Sequence, residues 1–409
     1  LKQYSARRVY GSMAENDPVV GGILFAIDML IRQVDWTVEQ GDAEDDAVEF
    51  LQGCMQDMSH SWTDFISEVL TMLPYGFSFF ETVYKVRRGE QEEGGGIPSS
   101  RFNDGKIGWR KFAIRAQNSL IRWDMDVNGG VNGFVQQAPP DFKEVVIPIT
   151  KSLLFRTTSI KNNPEGRSIL RNAYRPWFFK KRMEEIEGIG VERDLAGLPM
   201  AEIDAAIMAS NDQNDMAFVA SVRKILKNVR QDKEAGIIWP LMLDDQGNKL
   251  ATFQLMNSGG SRTFDITNII ERYDSRIAMT VLADFILLGH QQTGSFALSS
   301  DKTNLFGVAL GSWLNAIEDV INRFAVHRLF RVNGMDTENV PKIVHKDIEK
   351  PDLAGLASFL GALAGMGMPL FPDENLESYL RDVADLPEQS DESKNTAEKA
   401  QQEELMSMM

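Results

Sequence analysis

Cysteine is nearly absent from this chain: Cys54 stands alone among 409 residues. A single thiol excludes an internal disulfide and any cysteine-based zinc cluster, and it suits a reducing compartment. Histidine is scarce as well, limited to His60, His290, His327 and His345, with no two at metal-ligand spacing. Positive charge is in deficit, since 43 Lys and Arg face 59 Asp and Glu for a net charge of −16. A protein that grips nucleic acid through its phosphates shows the opposite balance. No Walker A loop, His-Glu-x-x-His, Gly-x-Ser-x-Gly or strand-linked Gly-x-Gly-x-x-Gly is present. No enzyme activity, catalytic residue, cofactor or metal is therefore expected. No cleaved secretion leader is recognisable at the front of the chain. One uncharged stretch, Leu353 to Pro372, approaches the ~20 residues that span a bilayer. It contains Gly355, Gly361, Gly365, Gly367 and Pro369, so the expectation is a soluble helical hairpin and no membrane contact.

What the chain does contain is ordinary for a folded protein: 43% hydrophobic and 25% charged residues. Asp17-Pro18 forms a cap and first-turn proline before Val20, Ile23, Leu24, Ile27, Leu30, Ile31 and Val34, which recur at helical spacing. Further helices are expected over 46–58 and 61–73, the latter ending at Pro74. From Tyr75 the pattern changes to β-prone alternation broken by Asn103-Asp104-Gly105 and Asn128-Gly129-Gly130, which predicts an antiparallel sheet region over 75–157. Arg87 to Ser100, with three consecutive glycines, reads as a mobile loop. Helices are expected to return over 167–187, with a kink at Pro176 and a stop at Gly188-Ile189-Gly190. One or two helices follow over 200–233, then strands at 236–240 and 250–255. Two long helices are expected at 263–288 and 300–332, the second weakened at Gly307 and Gly311. Residues 373–409 carry eleven Asp or Glu against three Lys or Arg, a net of −8 and half the total. The end of that stretch reads as a disordered or partner-docking arm.

Candidate chemistry is sparse. Carboxylate runs such as 42–46 read as solvated turns, and Cys54 has no basic neighbour in sequence that would lower its pKa. Two features stand out. One is the basic cluster Arg167, Arg171, Arg175, Lys180, Lys181 and Arg182, which is either a solvated face, a subunit contact or a channel lining. The other is the uncharged segment 289–300 between the two long helices, with His290, Gln291, Gln292, Thr293, Ser295 and Ser299. Such residues offer weak, reversible hydrogen bonds, suited to a surface over which a polyanion moves, whereas a plain flexible connection is the alternative.

The order of these elements resembles the portal, or head–tail connector, proteins of tailed bacteriophages, in particular the Mu-like branch. The resemblance is carried by Asp17-Pro18-Val19-Val20-Gly21-Gly22 with Trp36-Thr37-Val38-Glu39, by Leu73-Pro74-Tyr75-Gly76 through Glu81, by Pro164-Glu165-Gly166-Arg167-Ser168, and by Asp284 to Gly289 running on through Gly294-Ser295. It implies an α+β ring protomer with no enzymatic activity. Residues 1–165 would be a wing of helices plus antiparallel sheet, 166–187 and 263–288 two stem helices, and 188–262 an α/β clip. Residues 289–300 would be a DNA-facing tunnel loop, 301–345 the return to the wing, 346–385 a helical crown and 386–409 an acidic tail. The implied partners are further copies of the chain in a 12-mer ring, the major capsid protein and scaffold, the large terminase, the head-completion adaptor, and double-stranded DNA passing without sequence specificity. The implied location is the virion's portal vertex, after assembly in the host bacterial cytoplasm. The competing reading is a phage-encoded nucleic-acid-processing enzyme whose site is not recognisable.

Overall fold

The chain begins with two helices hinged at one aspartate. In the computed structural model, α1 (Gln3–Asn16) gives way to α2 (Pro18–Arg32) at Asp17, whose Oδ1 accepts the backbone N–H groups of Val19 and Val20 at 3.0 Å each. These are donors that a helix start leaves unpaired, and the cap expected from Asp17-Pro18 satisfies two of them. The structure describes residues 3–91, 98–196, 198–230, 243, 246–247, 249–256, 266–280 and 296–348, with scattered positions from 357 to 381. The expected hairpin at 353–372 lies largely outside them. Among the described residues no helix is long and apolar enough to cross a membrane. The acidic segment from 382 onward is likewise outside the described residues.

Next come strand β1 (Trp36–Glu39) and helices α3 (Asp45–Gln56) and α4 (Trp62–Leu70). The third expected helix does not run through to Leu73. It stops at Leu70, and a separate turn of helix, α5 (Met72–Tyr75), holds Pro74 inside it before Gly76 takes a left-handed φ of 95°. The expected sheet region is present as two three-stranded sheets. Strands β2 (Phe77–Val86), β3 (Ile107–Arg115) and β7 (Ser152–Arg156) form one in the order β3-β2-β7. Strands β4 (Leu120–Met125), β5 (Val131–Gln137) and β6 (Glu144–Pro148) form the other, antiparallel and in sequence order. Phe77, Phe79, Leu120, Phe134 and Ile147 make a shared core, with Phe79 and Phe134 stacked at 4.6 Å. Of the loop expected at Arg87–Ser100, residues 92–97 lie outside the description. Its flanks are held, Arg87 N–H donating to Lys106 O at 2.8 Å and Ser100 N–H to Gly89 O at 3.1 Å.

Helix α6 (Tyr174–Ala196) differs from its expected course at both ends. It begins at Tyr174, so Pro176 falls in the first turn, where a missing N–H removes no helical bond and no kink is required. It also continues through Gly188 and Gly190 to Ala196. Leu198–Ile203 is a strand, β8, rather than the start of a helix, because β9 (Ala251–Met256) pairs with it antiparallel from Leu198↔Met256 to Ile203↔Ala251. Helices α7 (Ala205–Ala209) and α8 (Gln213–Arg230) are separated by 210–212, so the polar break expected over 210–214 is shorter by its last two residues, which begin α8. The strand expected at 236–240 lies outside the described residues. Helix α9 (Ile266–Met279) is the described part of the helix expected over 263–288. Helix α10 (Phe296–Val320) starts four residues early and runs through Gly307 and Gly311 without interruption. The departure from α geometry comes later, in a six-residue π-helical segment, Ile321–Val326, before α11 (His327–Val332). Strand β10 (Lys342–His345) closes on β1 in antiparallel register.

The chain divides into two compact units. One comprises residues 1–26, 67–82 and 112–306, and the other 27–66, 83–111 and 307–409.

Candidate functional site

Helices α6 and α9 pack side by side in the first unit, and the segment joining them in space is a charged one. Trp177 and Lys180 of α6 are buried at helical spacing, in line with buried Ala173 just before the helix. Leu170, Ala173 and Trp177 join Ile277 of α9 and Ala6, Tyr10, Met13 and Val20 of α1 and α2 in one core. Phe179 stacks on Tyr273 with centroids 6.3 Å apart. The base of the helix pair is thereby bonded to the opening helices.

Lys180 is the electrostatic centre of this arrangement. It is 2% exposed, and its Nζ lies 3.0 Å from Asp17 Oδ2, 2.6 Å from Asp274 Oδ1 and 3.9 Å from Glu184 Oε1. Burial by itself would lower the lysine pKa, but hydrogen bonds and charge from Asp274 and Asp17 outweigh it and raise the value. Asp17 therefore serves twice, as the cap of α2 and as the partner of a cation on α6.

A second junction lies close by in the same unit. Gly76, at φ 95°, and Gly166, at φ 58°, pass so closely that a Cβ on Gly76 would sit 2.5 Å from Glu165 O, and one on Gly166 would sit 2.4 Å from Gly76 O. Only glycine fits either position. Glu165 accepts from Arg7 Nη1 at 3.3 Å and from Trp123 Nε1 at 3.4 Å, while Arg7 Nη2 also donates to Leu120 O at 2.8 Å. Two sequence motifs about ninety positions apart thus form a single backbone crossing.

The expected site residues have varied fates. His290, Gln291, Gln292, Thr293 and Ser295 lie outside the described residues. Ser299 belongs to α10, which begins at Phe296, so the loop expected over 289–300 ends earlier than the sequence suggests. Of the basic cluster, Arg167, Arg171, Arg175, Lys181 and Arg182 are exposed. Arg167 donates to Asn172 Oδ1 at 2.9 Å, Arg171 to Tyr10 Oη at 3.4 Å and Arg182 to Glu185 Oε2 at 3.4 Å, and Lys181 sits 5.8 Å over the Trp177 ring. Lys180 alone turns inward, so the six cations are not one surface. Sequence reasoning missed Asp274 and Glu165 as partners. Asp274 was detectable, because it falls beside the apolar stripe of Ile270, Tyr273 and Ile277 rather than opposite it.

Among the described residues no group of three His, Cys, Asp or Glu side chains is placed to hold a metal ion. Cys54 does have a basic neighbour in space, since Arg87 Nη1 approaches its Sγ at 3.8 Å. Burial nevertheless dominates and pushes the thiol up to about 11, which leaves it inert at neutral pH.

Phe178, Phe179, Ile186, Ile189 and Met279 of the two helices are exposed. This is a protein built with an aromatic sheet region, a clamped helix pair and a long helix returning to a small sheet. The family model for the portal protein of Mu bacteriophage matches residues 7–383. The chain belongs to that portal family. No curated protein matches it. Among solved structures it is similar to a chain of the virion of the native gene transfer agent (GTA) particle, with a TM-score of 0.52 and 12% identity over 93% of this chain and 94% of that one. It is equally similar to chains from the neck of the empty GTA particle, computed with C6 symmetry, and the neck of the native particle, computed with C12 symmetry. These have TM-scores of 0.52 and 0.51, each at 12% identity with the same coverage. The mixed helical and antiparallel-sheet architecture is thus that of a portal-like fold, in a family whose members are structural proteins.

Proposed function

We propose that this portal protein assembles as a ring of twelve copies at one capsid vertex and forms the channel through which double-stranded DNA is packaged and ejected. The observation that carries the reading is the family match across residues 7–383. The C12 symmetry of the native GTA particle's neck supports the copy number. In this reading 166–187, which includes the first part of α6, and 263–288, which includes α9, are the two stem helices, 188–262 is the clip that meets the terminase and later the adaptor, and 346–385 is the crown. The DNA-facing tunnel loop is assigned to 289–300, a span whose residues from Phe296 onward belong to α10.

Charge supports the same reading. A lumen lined with fixed cations would hold phosphates by counterion release and stall the duplex, since several such contacts shift affinity by orders of magnitude. A chain with a net charge of −16 keeps that attraction low. The exposed cations Arg171 and Lys181, beside exposed Phe178 and Ile186, fit a contact between neighbouring copies, where apolar area and a few charges combine. Single-particle averaging of the purified protein tests the proposal. Twelvefold rotational symmetry around a central opening, and a size near a dozen times 45.9 kDa, is the expected result. A folded monomer without an opening, with metal-dependent turnover of nucleic acid, overturns it.

A further inference from the structure

The second unit contains a cavity of about 860 Å³ walled by β1, α3 and the start of α4. Its volume is in the range of ligand sites. Two observations set it apart from a simple surface recess.

The first concerns the two edges of the β1–β10 sheet. In antiparallel pairing, residues point their N–H and C=O groups alternately toward and away from the partner strand. Lys346 N–H donates to Asp35 O, and Thr37 faces Val344, so odd-numbered residues of β1 face β10. On the far edge of β10, Asn322 takes both groups of Ile343, accepting its N–H at 2.9 Å and donating to its carbonyl at 2.8 Å. Glu318 Oε2 accepts the N–H of His345 at 3.2 Å. That edge is capped by side chains. On β1 the equivalent groups belong to Trp36 and Val38, and among the described residues nothing bonds to them. Both residues line the cavity.

The second is an accumulation of unpaired ring nitrogens. Trp36 Nε1, Trp62 Nε1 and His60 Nε2 are buried without a hydrogen-bond partner, and all three rings are part of the cavity wall. Trp36 and Trp62 meet edge to face at 6.0 Å. Met55 and Met58 add an adaptable apolar floor, and at the rim Arg101 makes no ion pair among the described residues.

From the open strand edge and this wall, we infer that the cavity is a docking groove for an extended peptide of a partner protein, which adds a strand to β1. Main-chain bonds to Trp36 and Val38 supply the register, and alternate side chains of the peptide enter the Trp36–Trp62 wall. A carboxylate flanking the apolar residues meets Arg101. The occupant is therefore a peptide with alternating apolar residues and an acidic flank.

Panning a displayed library of random linear octapeptides on the full-length protein tests this. Enriched sequences are expected to alternate apolar residues beside Asp or Glu. A synthesised winner should bind saturably and slow amide hydrogen exchange at Trp36 and Val38. Val38→Pro removes a donor on the open edge without removing a bond to β10, and it should weaken binding at least tenfold. Arg101→Glu should weaken it about threefold. Because a variant can fail to fold, the winner is also N-methylated on alternate amides, and only one of the two methylation patterns should abolish binding to the unaltered protein. Absence of enrichment, indifference to both methylation patterns, or amides of Trp36 and Val38 already protected in the peptide-free protein, as when a neighbouring copy covers the edge, overturns the inference.

Discussion

The sheet core and the paired helices belong to the same unit, yet they treat water in opposite ways. In the sheets, Phe77, Phe79 and Phe134 are fully buried and meet one another or Trp123 ring to ring. In the helices, Phe178 is 44% and Ile186 53% exposed, while the most hydrophilic side chain of the group, Lys180, is 2% exposed. The sheet region completes its core within one chain. The helix pair buries an ion cluster beside Trp177 and Ile277 and still leaves apolar area outside, as expected of elements finished by neighbouring copies.

The largest effect should come from breaking the self-sufficient side. Phe79→Ala removes a fully buried ring and should cost about 4 kcal/mol by chemical denaturation. Lys180→Met tests whether the inward face of the helices depends on charge. It strands Asp17 and Asp274 without their cation and should cost about 3 kcal/mol. Gly76→Ala, which forces a side chain into Glu165 O at the crossing, should cost about 2 kcal/mol. The ion cluster also has a pH signature that the sheet lacks. The Lys180 pKa is raised, so its contribution is complete below the unfolded lysine value of about 10.4 and fades as pH climbs through the higher folded value. The stability gap between the parent and Lys180→Met should hold from pH 7 to 9 and narrow beyond about pH 10.5. The smallest effect on folding should come from the exposed side. Ile186→Ser should change stability by no more than about 0.5 kcal/mol, yet reduce ring assembly seen by sizing chromatography. A large folding defect there would mean that the helix pair is finished within the chain after all.

Much of this was readable beforehand where the cause is local. The Asp17-Pro18 cap, the turn at Asn128-Gly129-Gly130 and the alternation of β4 to β6 all depend on neighbours a few positions away. The failures share a different cause. Leu198–Ile203 looks helical by itself and is a strand because Ala251–Met256 lies beside it. Gly188 and Gly190 signal a stop, but α6 continues past them. Cys54 has no basic neighbour in sequence, whereas Arg87 reaches it across 33 positions. The basic cluster reads as a single face, although Lys180 occupies the one position that the helix turns toward Asp274.

By itself the order of residues determined the element types wherever capping, turn chemistry or hydrophobic period dominated, and it also determined the net charge and the family resemblance. The tertiary structure decided which charges are buried, which glycines touch and which strand edge stays open. Those outcomes depend on pairs such as Gly76 with Gly166 and Lys180 with Asp17, brought together from distant positions. Desolvation and close contact act only on what has been folded into the same place.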